Sequence, residues 1–198
     1  MRLIEFRDIA VSAIVLAFVF SYEGFGNADR LIKNIPFALL AVSLGFVLHE
    51  LAHRQIAKKY RCHAEYKLWK EGLILAFVFA LVSNGNFVFA APGAVMIYPI
   101  ADLWGHSAEL TRKKMGLISI AGPIMNIALA AVFFVAMFFS TGMLAEAFSL
   151  GARINIWLAL FNLIPIGPLD GQKIFSWSRK LWAVFFAVVV TMFTLLIL

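Results

Sequence analysis

The chain has 198 residues, 63% of them hydrophobic and 14% charged, with a mean hydropathy of +0.90. Soluble globular domains carry about a quarter charged residues. This composition therefore excludes an ordinary soluble enzyme and predicts an all-α polytopic membrane protein, with length for about six spans and no sizeable soluble domain. The net charge of +6 does not signal nucleic acid, because the Lys and Arg residues flank apolar runs as orientation signals do. A lone Cys62 rules out an internal disulfide.

Read in chain order, the first apolar run covers about Ile9 to Tyr22. Its basic start resembles a signal peptide, but no small-residue cleavage pattern follows, so it is read as a first span. Span two covers about Ile35 to Ala57 and ends on Lys58, Lys59, Arg61, Lys67 and Lys70, a basic block that predicts the cytoplasmic side. Residues 73–83 are apolar but short for a span, Ser83-Asn84-Gly85-Asn86 signals a turn, and Phe87 to Ile100 contains Pro92-Gly93 and Pro99. A second basic cluster, Arg112-Lys113-Lys114, precedes span four at about Met115 to Phe139. The region between spans two and four must then enter and leave on one side, as a helix plus returning segment or as a small β-hairpin with a re-entrant loop. Span five is predicted over about Arg153 to Ile166 and span six over Leu181 to Leu198. The whole, residues 1–198, reads as one membrane domain of about six embedded segments with a cytoplasmic N-terminus, in the cell membrane.

Span two carries the chemistry. His49-Glu50-Leu51-Ala52-His53 places two imidazoles one helical turn apart on one face, close enough to share a Zn²⁺, with Glu50 able to address water at the metal. Ionisable groups inside an apolar span cost several kcal/mol and are usually functional, so the pattern predicts proteolysis at membrane depth. A catalytic zinc needs a third protein ligand and an open position. Asp170 is the best candidate: it follows Asn162-Leu163-Ile164-Pro165-Ile166-Gly167-Pro168-Leu169, where Pro and Gly end span five and irregular backbone can face a polar cavity. A proton or metal-ion transporter could use the same His, Glu and Asp residues, though no internal repeat of the transporter kind is visible. His63 and His106 fall in polar segments and read as solvated surface histidines.

On His49-Glu50-Leu51-Ala52-His53, Gly122-Pro123-Ile124-Met125-Asn126 and the stretch Asn162 to Gly171, in that order, the chain resembles the site-2 protease family of intramembrane zinc metalloproteases. The resemblance implies that His49, His53 and Asp170 hold zinc, that Glu50 is the catalytic acid and base, and that Asn126 and Asn162 line the path of a transmembrane protein substrate. Interhelical hydrogen bonding explains either asparagine equally well. Neither the PDZ insertion nor the cystathionine-synthase-type domain common in that family is present, which makes this a minimal form. The resemblance also favours Asn86 to Tyr98 as an extended edge on which an unwound substrate could pair. The basic blocks place the active site toward the cytoplasm.

Overall fold

The computed structural model describes residues 3–101 and 109–197, so His106 lies outside the described residues. Helix α1 (Leu3–Ser21) leads to α2 (Ala28–Lys59), strand β1 (Cys62–Leu68), α3 (Lys70–Val82), strand β2 (Gly93–Pro99), α4 (Arg112–Phe138), α5 (Gly142–Asn162), α6 (Asp170–Trp177) and α7 (Arg179–Ile197). The four helices α2, α4, α5 and α7 are long and apolar enough to cross a bilayer. The chain is therefore an integral membrane protein, mostly helical, with one small sheet among the described residues.

Neither α1 nor α3 meets the same standard. Within its 19 residues α1 carries Glu5, Arg7 and Asp8, and the 13 residues of α3 reach only about 20 Å. The fifth predicted span needs correction: α5 begins at Gly142 and stops at Asn162. Glu146 and Arg153 mask its first half, and Pro165 denies the chain a helical continuation to Ile166.

The region between α2 and α4 combines both options read from the sequence. Strands β1 and β2 pair antiparallel, from Cys62 opposite Pro99 to Leu68 opposite Gly93, but α3 and an irregular return separate them, so they are not a tight hairpin. On β1 the alternation of Cys62, Ala64 and Tyr66 inward is the period-two pattern of a half-buried strand. Cys62 and Ala64 meet Ala57 of α2, Val95 of β2 and Ile118 of α4 in one apolar cluster, which seats the sheet against the C-terminal part of α2 and the start of α4.

Leu16, Val42, Ile154 and Leu158 join α1, α2 and α5. Ile156, Leu163, Ile174 and Val189 join α5, α6 and α7. The amide of Phe25 donates to Asn84 Oδ1 at 3.2 Å, and Lys33 pairs with Glu146. One end of the bundle thus holds the α1–α2 connection, the turn after α3 and the start of α5. The sheet, the C-terminus of α2 and the start of α4 lie at the other.

Candidate metal centre

The i, i+4 spacing does what helix geometry requires. His49 Nε2 and His53 Nε2 lie 2.9 Å apart, and Asp170 Oδ2 lies 3.3 Å from the first and 3.1 Å from the second. Four ligands about 2.0–2.1 Å from a zinc ion at tetrahedral angles stand about 3.3 Å from one another, so the three atoms already occupy one triangular face of such a shell. Among the described residues this is the one His/Cys/Asp/Glu group so arranged.

The outward nitrogens show which atoms are free to bind. His53 Nδ1 lies 2.8 Å from the carbonyl oxygen of Ile118, which can only accept, so the ring proton sits on Nδ1 and the Nε2 lone pair faces the site. His49 Nδ1 bonds Asn126 Oδ1. Asn126 presents its oxygen there because its amide nitrogen donates to Asn155 Oδ1 at 3.1 Å and to the Gly45 carbonyl at 3.4 Å. Two nitrogen lone pairs and a carboxylate oxygen thus converge within 3.3 Å, an arrangement that repels itself without a cation and fits one well.

Local sequence explains how each piece arrives. Gly122 of α4 lies against both rings, and a Cβ there would overlap both Nε2 atoms. Pro123 cannot donate to the carbonyl of Ser119, which breaks the helical ladder beside Ile118, where the carbonyl receives His53. After Asn162 the chain leaves helix, turns through Gly167 at φ +56 and re-enters at Asp170, the first residue of α6. The carbonyl of Leu163, freed by that break, accepts from Trp182 Nε1 at 2.7 Å. Gly171 lies so close to Leu163 that any Cβ would strike its carbonyl.

The four residues read from the sequence as the reactive group therefore meet: His49, Glu50 and Asp170 line one cavity with Asn126 and Asn162, and His53 lies behind them with its Nε2 against His49 and Asp170. Glu50 is buried and accepts from Arg54 Nε at 3.0 Å. Arg54 also pairs with buried Glu5 of α1, whose carboxylate takes the backbone amide of Tyr66 at 3.1 Å. Asn126 is fully buried, and its contacts run to His49 and Asn155. Asn162 donates to its own helix at Leu158 O, 2.9 Å away. The cavity volume is about 30 Å³, room for about two waters.

Sequence reading overlooked Asn155, Arg54, Glu5 and Lys173. Lys173 lies 3.5 Å from Asp170 Oδ1 and donates to Val95 O of β2 at 3.1 Å. For Asn155 a signal existed: it stands seven residues before Asn162, on the same face of α5. Arg54 and Glu5 were legible only as charges near span ends.

Residues 37–151 match peptidase family M50. A protein of Methanocaldococcus jannaschii that carries the provisional name of zinc metalloprotease is 41% identical over 182 residues, 91% of this chain and 87% of its own. A Bacillus subtilis protein of the same provisional name is 32% identical over 159 residues, 71% of this chain and 68% of its own. No solved structure matches significantly. The chain belongs to peptidase family M50, the family of the site-2 proteases.

Proposed function

We propose that the protein is an intramembrane zinc endopeptidase, a single metalloprotease domain that cuts peptide bonds within or near transmembrane segments of other proteins. The observation that carries this reading is the meeting of His49, His53 and Asp170 donor atoms within 3.3 Å beside Glu50, with both imidazole protons committed elsewhere. Zinc held by those three residues supplies a Lewis acid and lowers the pKa of water toward neutrality. Glu50 takes the proton of the attacking water and delivers it to the leaving amine. Asn126, through His49, fixes the ring and its tautomer, and Asn162 at the cavity wall is placed to meet a substrate backbone.

A cavity of about 30 Å³ does not hold a peptide, so the helices must part to admit one. A helical substrate must also unwind, because its amides and carbonyls are already paired. The β2 edge turned away from β1 reaches the cavity through Gly93, Ala94 and Val95, which supports pairing of the unwound segment there.

The six embedded segments read from the sequence are retained, with α1 and α3 as the two that are not full candidate spans. Exposed Ile74, Phe77, Val78 and Val82 on α3 suit lipid. The basic residues at the sheet end, Lys58, Lys59, Arg61 and Lys67 with Arg112 to Lys114, favour the cytoplasmic side of the cell membrane for the active site.

The decisive comparison is wild type against Glu50→Gln in detergent, with zinc measured by elemental analysis and cleavage measured on a transmembrane peptide. The expected result is about one zinc per chain in both and product from wild type alone. Undiminished cleavage by the glutamine variant would remove Glu50 from the mechanism. Ion flux with no peptide product from either would favour a transporter.

A further inference from the structure

At the end of the bundle away from the metal centre, a cleft of about 540 Å³ opens between α2, α5 and the end of α4. Its polar lining includes Glu23, Arg30, Lys33, Asn34, Glu146 and Arg153. The two carboxylates are engaged. Glu23 accepts from Arg30 at 2.9 Å and from Asn34 at 3.3 Å, and Glu146 pairs with Lys33. Arg153 has no ion-pair partner among the described residues.

The depth of Arg153 makes this notable. It stands eleven residues into α5, one of the four spanning helices, roughly 16 Å from the helix start. A cation at such depth is costly unless it faces a polar cavity or finds a counter-ion, and a long arginine stem can carry its guanidinium toward the interface. The cleft supplies the cavity and leaves the counter-ion to come from outside the chain.

A narrow slot adjoins the cleft. It shares Lys33, Asn34, Glu146 and Leu150 with it and continues between Phe37, Met143 and Ala147. That slot holds only about 10 Å³, too little for a chain, but Met143 and Leu144 beside it are exposed at the start of the same helix. Two ion pairs with Arg153 in excess, next to an exposed apolar rim, match an amphiphile whose anionic head lies close to a hydrocarbon tail. The headgroup layer of the bilayer offers that chemistry at the cleft mouth, toward which the Arg153 stem can carry its charge, and a guanidinium binds phosphate oxygens in two-point fashion.

We propose that this cleft binds a membrane phospholipid, with its phosphate on Arg153, Arg30 and Lys33 at the mouth, and one acyl chain over the exposed rim at Met143 and Leu144. The site shares no residue with the metal cavity, so its occupancy can be tested separately from zinc or proteolysis.

The test uses the full-length, delipidated protein in detergent, titrated with dioctanoyl phosphatidylglycerol and read by native mass spectrometry as lipid bound per chain. Inorganic phosphate serves as the competing free anion. Wild type is expected to retain one lipid after weaker ones are stripped, and inorganic phosphate is expected not to displace it. Arg153→Gln should weaken retention by about tenfold or more, the loss of one charge-assisted contact, and Arg153→Lys should restore part of it. Met143→Trp, at an exposed position, should crowd the apolar rim of the cleft and weaken lipid retention without unfolding the protein. Equal retention in wild type, Arg153→Gln and Met143→Trp would overturn the assignment. Displacement by inorganic phosphate at matched concentration would overturn the lipid and leave a simple anion site.

Discussion

Replacing Gly122 by alanine sets two known effects against each other, and the structure decides which prevails. In an ordinary helix interior the change from Gly to Ala stabilises by about 0.8–1.0 kcal/mol. At Gly122 the added methyl would overlap Nε2 of both His49 and His53, the two atoms read as metal ligands. Neither ring can retreat freely, because His53 is tied to Ile118 O at 2.8 Å and His49 to Asn126. Overpacking of this kind costs about 1–3 kcal/mol, and the cost falls on the metal-bound arrangement, where both rings must point inward. Zinc affinity should therefore drop by about 5- to 150-fold, at roughly 1.4 kcal/mol per factor of ten. The assay is competition for zinc against a chelator of known affinity, alongside thermal unfolding of the zinc-free protein. A control substitution, Val132→Ala, alters a lipid-exposed position of the same helix and should leave affinity unchanged. The reasoning fails if Gly122→Ala binds zinc as tightly as wild type.

Asn126→Leu removes the acceptor of His49 Nδ1 and the donor to Asn155 Oδ1, so zinc affinity should fall by about 10- to 100-fold, the range for outer-shell partners, as the same chelator competition would measure. Arg54→Gln leaves the buried carboxylates of Glu5 and Glu50 without their shared cation, a loss of about 3–5 kcal/mol for a broken buried pair. Adding Glu5→Gln should recover part of that loss in thermal unfolding, and a double variant no more stable than Arg54→Gln alone would deny the coupling. For membrane orientation, Cys62 in β1 is buried, and burial pushes its thiol pKa up against the pull of Lys114, so it should react slowly even before replacement by serine. In that serine background, exposed Ser176→Cys should be labelled by polar reagents from the cytoplasm and exposed Thr141→Cys from outside; the reverse pattern would invert the topology.

The parts of this site that were legible in the sequence are those with a local or compositional signature. His49 and His53 could be paired from helical spacing alone, and Asp170 from the Pro and Gly residues that interrupt the chain before it. The start of α5 was hidden because Glu146 and Arg153 lower its apparent hydropathy, although both line a polar cleft rather than ending the helix. Strand β1 was hidden for a similar reason: His63, Lys67 and neighbouring charges read as a cytoplasmic loop, while the alternation of Cys62, Ala64 and Tyr66 was present throughout.

What fixes the state of the two imidazoles could not be read from composition or spacing. Ile118 contributes a backbone carbonyl, a group every residue carries, and only the close approach of α4 at Gly122 gives it its role. Asn126 could be singled out as a polar residue in a span, but which way its amide faces depends on Asn155 and Gly45, far away in the chain. Once Asn126 turns its oxygen to His49, the proton on Nδ1 leaves Nε2 free, and the same holds for His53 through Ile118. The pairing of one ring with a side chain and the other with main chain has a consequence for mutation. The His49 side can be tuned by replacing Asn126, whereas the His53 side changes only when the path of α4 changes. Gly122, which touches no proton in the proposed chemistry, then governs the site through the space it leaves for both rings.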